Sequence, residues 1–270
     1  MQDTLTATAA PATVTTASIH AVFRRMAAND VAKHFEASPN PEPLVVMSGV
    51  SITLFNKYFA EHDEDAPVAM RFVNLVDGSI VITDYPSAAH EGVTMPFVTL
   101  LDQASGVPGC IALRGSTTAH RAGFVSKEAD ATFGPYDNTP NCGPLPTGLS
   151  SFGDWMTLVL EVGYGQSWRG LHEAASWWAM YPGVRYILLI RVGPRAASLE
   201  YELYHIDSVG PLSAVFQVGR MLAGNREPRF VSFDTRTILG IPPGLPLPAN
   251  VNDVCRVDLL TINHRAFHNT

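Results

Sequence analysis

Residues 157–192 constrain the fold more than any other stretch of the chain. TLVLEV (157–162), apolar apart from Thr157 and Glu161, reads as a buried strand, and GYGQS (163–167) breaks it as a turn. Trp168, Leu171, Ala175 and Trp178 then recur at helical spacing until Tyr181-Pro182-Gly183 ends the helix. RYILLIRV (185–192) is a second buried strand. A strand, a crossover helix and a second strand within about 35 residues make a βαβ unit with a parallel pair. The chain is therefore read as α/β, or mixed α+β, with Trp178 in its core rather than on a surface where it could stack a base.

Weaker signals divide the rest. Residues 1–16 are rich in Thr and Ala and read as a disordered tail, and 17–66 as a helical extension. In that extension Ser18 is expected to cap a helix over 19–35, which SPNPEP (38–43) stops. After the acidic loop HDEDAP (62–67), a core is placed at 67–210. It opens with strands at 68–76 and 79–84 around the turn Asp77-Gly78, then a helix over 86–106 with Pro96 in its first turns. Short strands follow in 110–133, a long Pro/Gly/Asn/Ser loop in 134–154, and a strand at 199–205 after the βαβ unit. The remainder, 211–270, is read as a β-rich extension: a weak helical segment at 211–224, strands at 228–240 and near 254–262, and the linker IPPGLPLP (241–248) between them.

Composition excludes several classes of function. With 18 Lys plus Arg against 25 Asp plus Glu, a net charge of −7 rules out a broad basic face that coats nucleic acid, though not one local groove. Three cysteines without a CxxC give neither a disulfide framework nor a zinc knuckle. The N-terminal residues carry Asp3 and no early Lys or Arg, so they make a poor targeting segment, and no apolar run approaches the ~20 residues of a membrane helix. The expected setting is intracellular, cytoplasmic or nuclear, without a membrane partner. No GxxxxGK[ST] loop, GxSxG elbow or HExxH is present, and His264 and His268 read as tail residues.

Chemistry is sought first at Glu161, a carboxyl inside an apolar strand, where an unpaired charge would cost several kcal/mol. The pattern leaves two readings open: a structural acid paired with Arg185 or Arg191 on the next strand, or a site acid. Asp130, in KEADATF, is either a solvated turn residue or a second site acid. Glu91, in PSAAHEG, suits the start of a helix through the dipole alone, and is the third candidate.

The order of these pieces carries a resemblance. PS..HE opens a helix, ADA.F.P follows, then LVLEVGY with a Trp-bearing helix, then GVRYILLI. This is similar to the restriction-endonuclease-like PD-(D/E)XK superfamily, and closest to its Uma2-like and fungal members, over roughly residues 70–205. The resemblance implies a central mixed sheet flanked by helices and hydrolysis of phosphodiester bonds in nucleic acid. Asp130 matches the motif Asp, with Ala129 in place of Pro, Glu161 matches the D/E position, and Glu91 matches an acid from the first core helix. Together with the Val162 carbonyl, these acids would hold Mg²⁺ or Mn²⁺.

The motif Lys is missing. Two positions after Glu161, on the same strand face, stands Gly163. Lys127 and Arg169 are the available substitutes; Arg169 could clamp a phosphate but, always charged, could not act as a base. Gln166 could position a water. Loss of the Lys and the net acidity leave a second function open, an inactive fold of this kind serving as a binding module. A third is a nucleotide loop at 163–165, which lacks the last glycine of GxGxxG because Trp168 stands there.

Overall fold

The computed structural model describes residues 13–38, 41–164, 166–193, 198–222 and 224–268. Residues 1–12 of the expected tail, two residues of the SPNPEP stop and Gly165 of the expected nucleotide loop lie outside the described residues. The N-terminal unit holds α1 (Thr16–Phe23), α2 (Ala28–Glu36), β1 (Leu44–Ser48), α3 (Ile52–His62), a 3₁₀ turn at Asp63–Asp65, a second at Met70–Phe72, and the hairpin β2 (Val73–Val76) and β3 (Ser79–Ile82). Its three strands pair antiparallel in the order β1-β3-β2, around a core of Ile19, Phe23, Val31, Phe35, Phe55 and Tyr58. Asp77 and Gly78 both take positive φ at the hairpin tip, as the turn Asp-Gly requires.

The helix expected over 19–35 is two helices. In one unbroken helix Ile19/Phe23 and Val31/Phe35, twelve residues apart, would face roughly 120° from each other. The break at residues 24–27 lets both pairs enter the same core, where all four are buried. The cap is Thr15 rather than Ser18, which instead sits three residues on and completes a capping box.

Beyond this unit come α4 (Ala88–Ala104), β4 (Ala112–Gly115), β5 (Ala131–Gly134), β6 (Leu158–Gly163), α5 (Trp168–Ala179), β7 (Tyr186–Val192), β8 (Ser198–His205) and β9 (Gln217–Leu222). The six strands form a mixed sheet in the order β4-β5-β6-β7-β8-β9, in which β6 and β7 run parallel and every other pair antiparallel. The crossover unit read from 157–192 is therefore present. One face of the sheet, with Leu158, Leu160, Leu188 and Ile190, packs on Val93, Phe97 and Leu101 of α4. The other face, with Val159, Ile187 and Leu189, packs on Leu171, Ala175 and Trp178 of α5. Alternation along β6 puts Glu161 on the α5 side with Val159.

Three further expectations change in the folded chain. Pro96 lies in the middle of α4 and not in its first turns; Ser87 caps that helix, its Oγ accepting from the His90 amide at 3.1 Å. The segment 211–224 carries β9, because pairing with β8 outweighs its weak helical pattern, and Gly219 fits there against the ring of Tyr201. The strands expected at 228–240 and 254–262 stop early as β10 (Phe230–Asp234) and β11 (Val254–Asp258), and each turns directly into a helix, α6 (Thr235–Ile238) and α7 (Leu259–His268). An aspartate does this in both places. Asp234 accepts from the Thr237 amide at 3.1 Å, and Asp258 accepts from the Leu260 amide at 3.0 Å.

The approach of the loop 135–157 to the sheet is tight at Gly134, where an added Cβ would collide with the Trp155 carbonyl. Gly134→Ala is expected to destabilise the fold by roughly 1–3 kcal/mol through this overpacking, read as a lowered midpoint in urea unfolding.

Candidate active site

The register that builds the sheet also places its acids. Ala131 pairs with Leu160, so Asp130 and Glu161 stand opposite each other one step further along β5 and β6. Both are buried, with side chains 5% and 7% exposed. Each is held by partners from outside its own strand.

Asp130 Oδ2 accepts from the Val162 amide at 2.7 Å, which locks the carboxylate to β6. Its Oδ1 lies 3.0 Å from His90 Nε2 and 3.4 Å from Arg71 Nε, both off the line of a good hydrogen bond. His90 stands in the first turn of α4 and is fully buried. Burial alone would lower its pKa, but the charge of Asp130, its contacts with Asp130 and Glu91, and the charge of Asp84 outweigh that and raise it to about 10. His90 is therefore an imidazolium at neutral pH. Glu91 lies at the rim, its side chain 45% exposed, 3.1 Å from Arg71 Nη2 and 3.5 Å from His90 Nδ1. Contact with His90 leads the causes that hold its carboxyl below the usual range, against the opposing effect of burial.

Glu161 is not paired with Arg185 or Arg191. Arg185 donates to the carbonyls of Ile206 and Asp207, and Arg191 meets Glu200 and the Gln166 carbonyl. Glu161 Oε1 instead accepts from Trp178 Nε1 at 2.6 Å and lies 3.8 Å from Lys127 Nζ. Burial pushes its carboxyl up, against the opposing pull of Lys127. Lys127 is held by the bridge between residues 119 and 127, just upstream of Asp130. Gly163 is closely packed: a Cβ there would meet Gln166 Cβ at 3.1 Å and Leu171 Cδ1 at 3.3 Å.

Arg169 and Gln166 are placed differently. The Arg169 side chain is 87% exposed and pairs with Glu173 at 3.0 Å. Both residues line a groove with Val81, Thr83 and Glu173, and neither Asp130 nor Glu161 belongs to that lining. His90, Arg71 and Asp84 join the site without having been singled out in the sequence. Asp84 is buried and accepts from the Tyr164 amide at 2.7 Å, tying the end of β3 to the end of β6. The histidine beside Glu91 was the available signal, since a buried charge at the start of a helix needs a counterion.

These features define a mixed α/β protein whose sheet carries two facing acids on adjacent strands, matched by a lysine, an imidazolium and an arginine. No protein-family model matches the chain, and no curated protein does. Among solved structures, the chain is similar to a "putative nuclease belonging to DUF820" from Anabaena variabilis, with 11% identity and a TM-score of 0.46, over 80% of this chain and 99% of that one.

Removing the anion at the centre of the cluster has a defined consequence. Asp130→Asn removes the buried carboxylate between His90 and Arg71, leaving them only the half-exposed Glu91, and is expected to cost about 3 kcal/mol near neutral pH. His90 titrates higher in the folded chain than its ordinary 6.5, so the stability it contributes is complete below that value and is lost as pH rises through about 10. The gap between wild type and D130N, measured by denaturant unfolding in EDTA, should therefore be widest below about pH 6.5 and narrow toward pH 10.

Proposed function

We propose that the chain is a metal-dependent phosphodiesterase acting on nucleic acid in a local groove, with Asp130 and Glu161 as its acids and Lys127 in the role of the motif lysine. The observation that carries this reading is the placement of Lys127 Nζ 3.8 Å from Glu161, opposite Asp130 across the strand pair. It supplies from upstream a cation that Gly163 does not carry.

The donor set suits Mg²⁺ or Mn²⁺, because two carboxylates facing each other offer hard oxygen ligands, with the Val162 carbonyl as a third. Such an ion polarises the phosphoryl group and lowers the pKa of a bound water. The remaining work falls to the chain. Lys127 orients the attacking water and offsets charge that develops on the phosphoryl oxygens. Arg71, partly open at the rim beside Glu91, is placed to meet a backbone phosphate. His90 and the Val162 amide keep Asp130 in one orientation. Glu91 is an outer acid here: among the described residues, the ligand atoms of Asp130, Glu161 and Glu91 do not gather within 4.8 Å.

A second reading is favoured by that same charge matching. Asp130 is already paired with His90 and Arg71, and a divalent ion must share it with them. A fold with this arrangement and no turnover would bind nucleic acid or another partner without cutting it. A nucleotide loop at 163–165 has no comparable support, because Trp168 stands where the last glycine of GxGxxG would.

Labelled single- and double-stranded DNA and RNA, incubated with Mg²⁺ or Mn²⁺, separate the two. Cleavage that D130N and E161Q each lower by at least about 10²-fold, and K127M by about 10²-fold, is the expected result. A folded wild type that cuts none of the four, while retarding any of them in a gel, belongs to the binding module.

A further inference from the structure

A second set of metal-ligating side chains stands in the N-terminal unit, away from the acids of the sheet. His20 comes from α1, His62 from the last turn of α3, and Asp65 from the 3₁₀ turn that follows. His20 Nδ1 lies 3.4 Å and His62 Nδ1 3.3 Å from the same oxygen, Asp65 Oδ2. Among the described residues, this is the one group of three or more His, Cys, Asp or Glu whose ligand atoms all lie within 4.8 Å of one another.

The distances themselves are informative. A neutral N–H···O hydrogen bond is usually about 2.9 Å, and a charge-assisted one is shorter. These contacts are longer. Two ligands about 2.05 Å from one tetrahedral metal stand about 3.3 Å apart, which is the spacing seen here. A second observation points the same way. His20 Nδ1 is buried at the atomic level and has no hydrogen-bond partner, so its lone pair or its N–H is left unused. The Tyr58 hydroxyl, on a ring 5.3 Å from that of His62, is likewise buried without a partner. A hydrogen-bonded His–Asp pair would have closed to bonding distance and given His20 Nδ1 a partner.

We propose that His20, His62 and Asp65 form a zinc site. Two imidazole nitrogens and one carboxylate oxygen suit Zn²⁺ and its transition-metal neighbours rather than Mg²⁺ or Ca²⁺. The three side chains are 30%, 37% and 40% exposed, which gives the ion a path in and leaves a fourth position for water. The bound ion would clip α1 to the end of α3 and to the 3₁₀ turn. The site differs in donor chemistry and in location from the oxygen ligands of Asp130 and Glu161, and does not depend on them.

The test uses the full chain without an affinity tag, stripped with EDTA and titrated with Co²⁺ as a spectroscopic probe, then with Zn²⁺. Wild type is expected to take up one equivalent of Co²⁺ with the visible bands of a tetrahedral site, to lose them on adding Zn²⁺, and to gain about 4 °C or more in Tm with saturating Zn²⁺. H62Q and D65N replace side chains more than a third exposed, and should match the wild-type Tm in EDTA while binding Co²⁺ at least 100-fold more weakly. E161Q should keep the bands and the Tm gain. The proposal is overturned by a wild type with no saturable uptake, or by uptake that H62Q and D65N leave unchanged.

Discussion

The buried carboxylate of Asp130 is the point on which the rest of the site depends. Its two oxygens reach three separate parts of the molecule: the backbone of β6 through the Val162 amide, the start of α4 through His90, and the N-terminal unit through Arg71. An isolated buried carboxylate would be too costly to keep ionised, so each of these groups must be in place at once. The same contacts fix where the first unit sits on the end of the sheet, with Asp84 adding a second tie at Tyr164. The groups that orient this acid also tie the two cores together.

Glu161 is maintained by different means. It projects from a strand whose other side chains are apolar, toward the helix that connects β6 with its parallel neighbour. Trp178 fills that helix–sheet interface with its ring and turns its one donor to the carboxylate. Lys127 Nζ stands 3.8 Å from the same oxygen. Gln166 and Leu171 pack closely on Gly163, where an added Cβ would come within 3.1 Å and 3.3 Å of them. The cation beside Glu161 is Lys127, in the segment that leads into Asp130.

Much of the frame was legible in the residues. The largely apolar runs at 157–162 and 185–192 call for cover on both faces, and helical spacing of Trp168, Leu171, Ala175 and Trp178 supplies one of those covers. Asp77-Gly78 likewise announces its hairpin, because few other pairs accept two positive φ values. The failures are as physical. The break between α1 and α2 depends on a common core for residues twelve apart, which no local window contains. Strands at 228–240 and 254–262 were drawn too long because Asp234 and Asp258 act as caps only once a helix starts beside them. β9 owes its conformation to β8, not to its own pattern.

The site divides along the same line. A carboxyl amid apolar neighbours makes Glu161 conspicuous without any structure, while Asp130 and Glu91 are picked out only by their order along the chain. Which cation answers each acid is decided in three dimensions. Arg185 and Arg191, nearest in strand register, turn to carbonyls and to Glu200, while Lys127, His90 and Arg71 arrive from other elements. Arg169, promising by position, points to Glu173 at the surface. A sequence determines where burial makes a charge expensive. Only the tertiary structure brings the opposite charge to it, because electrostatic partners are chosen by distance through space and a chain encodes distance along itself.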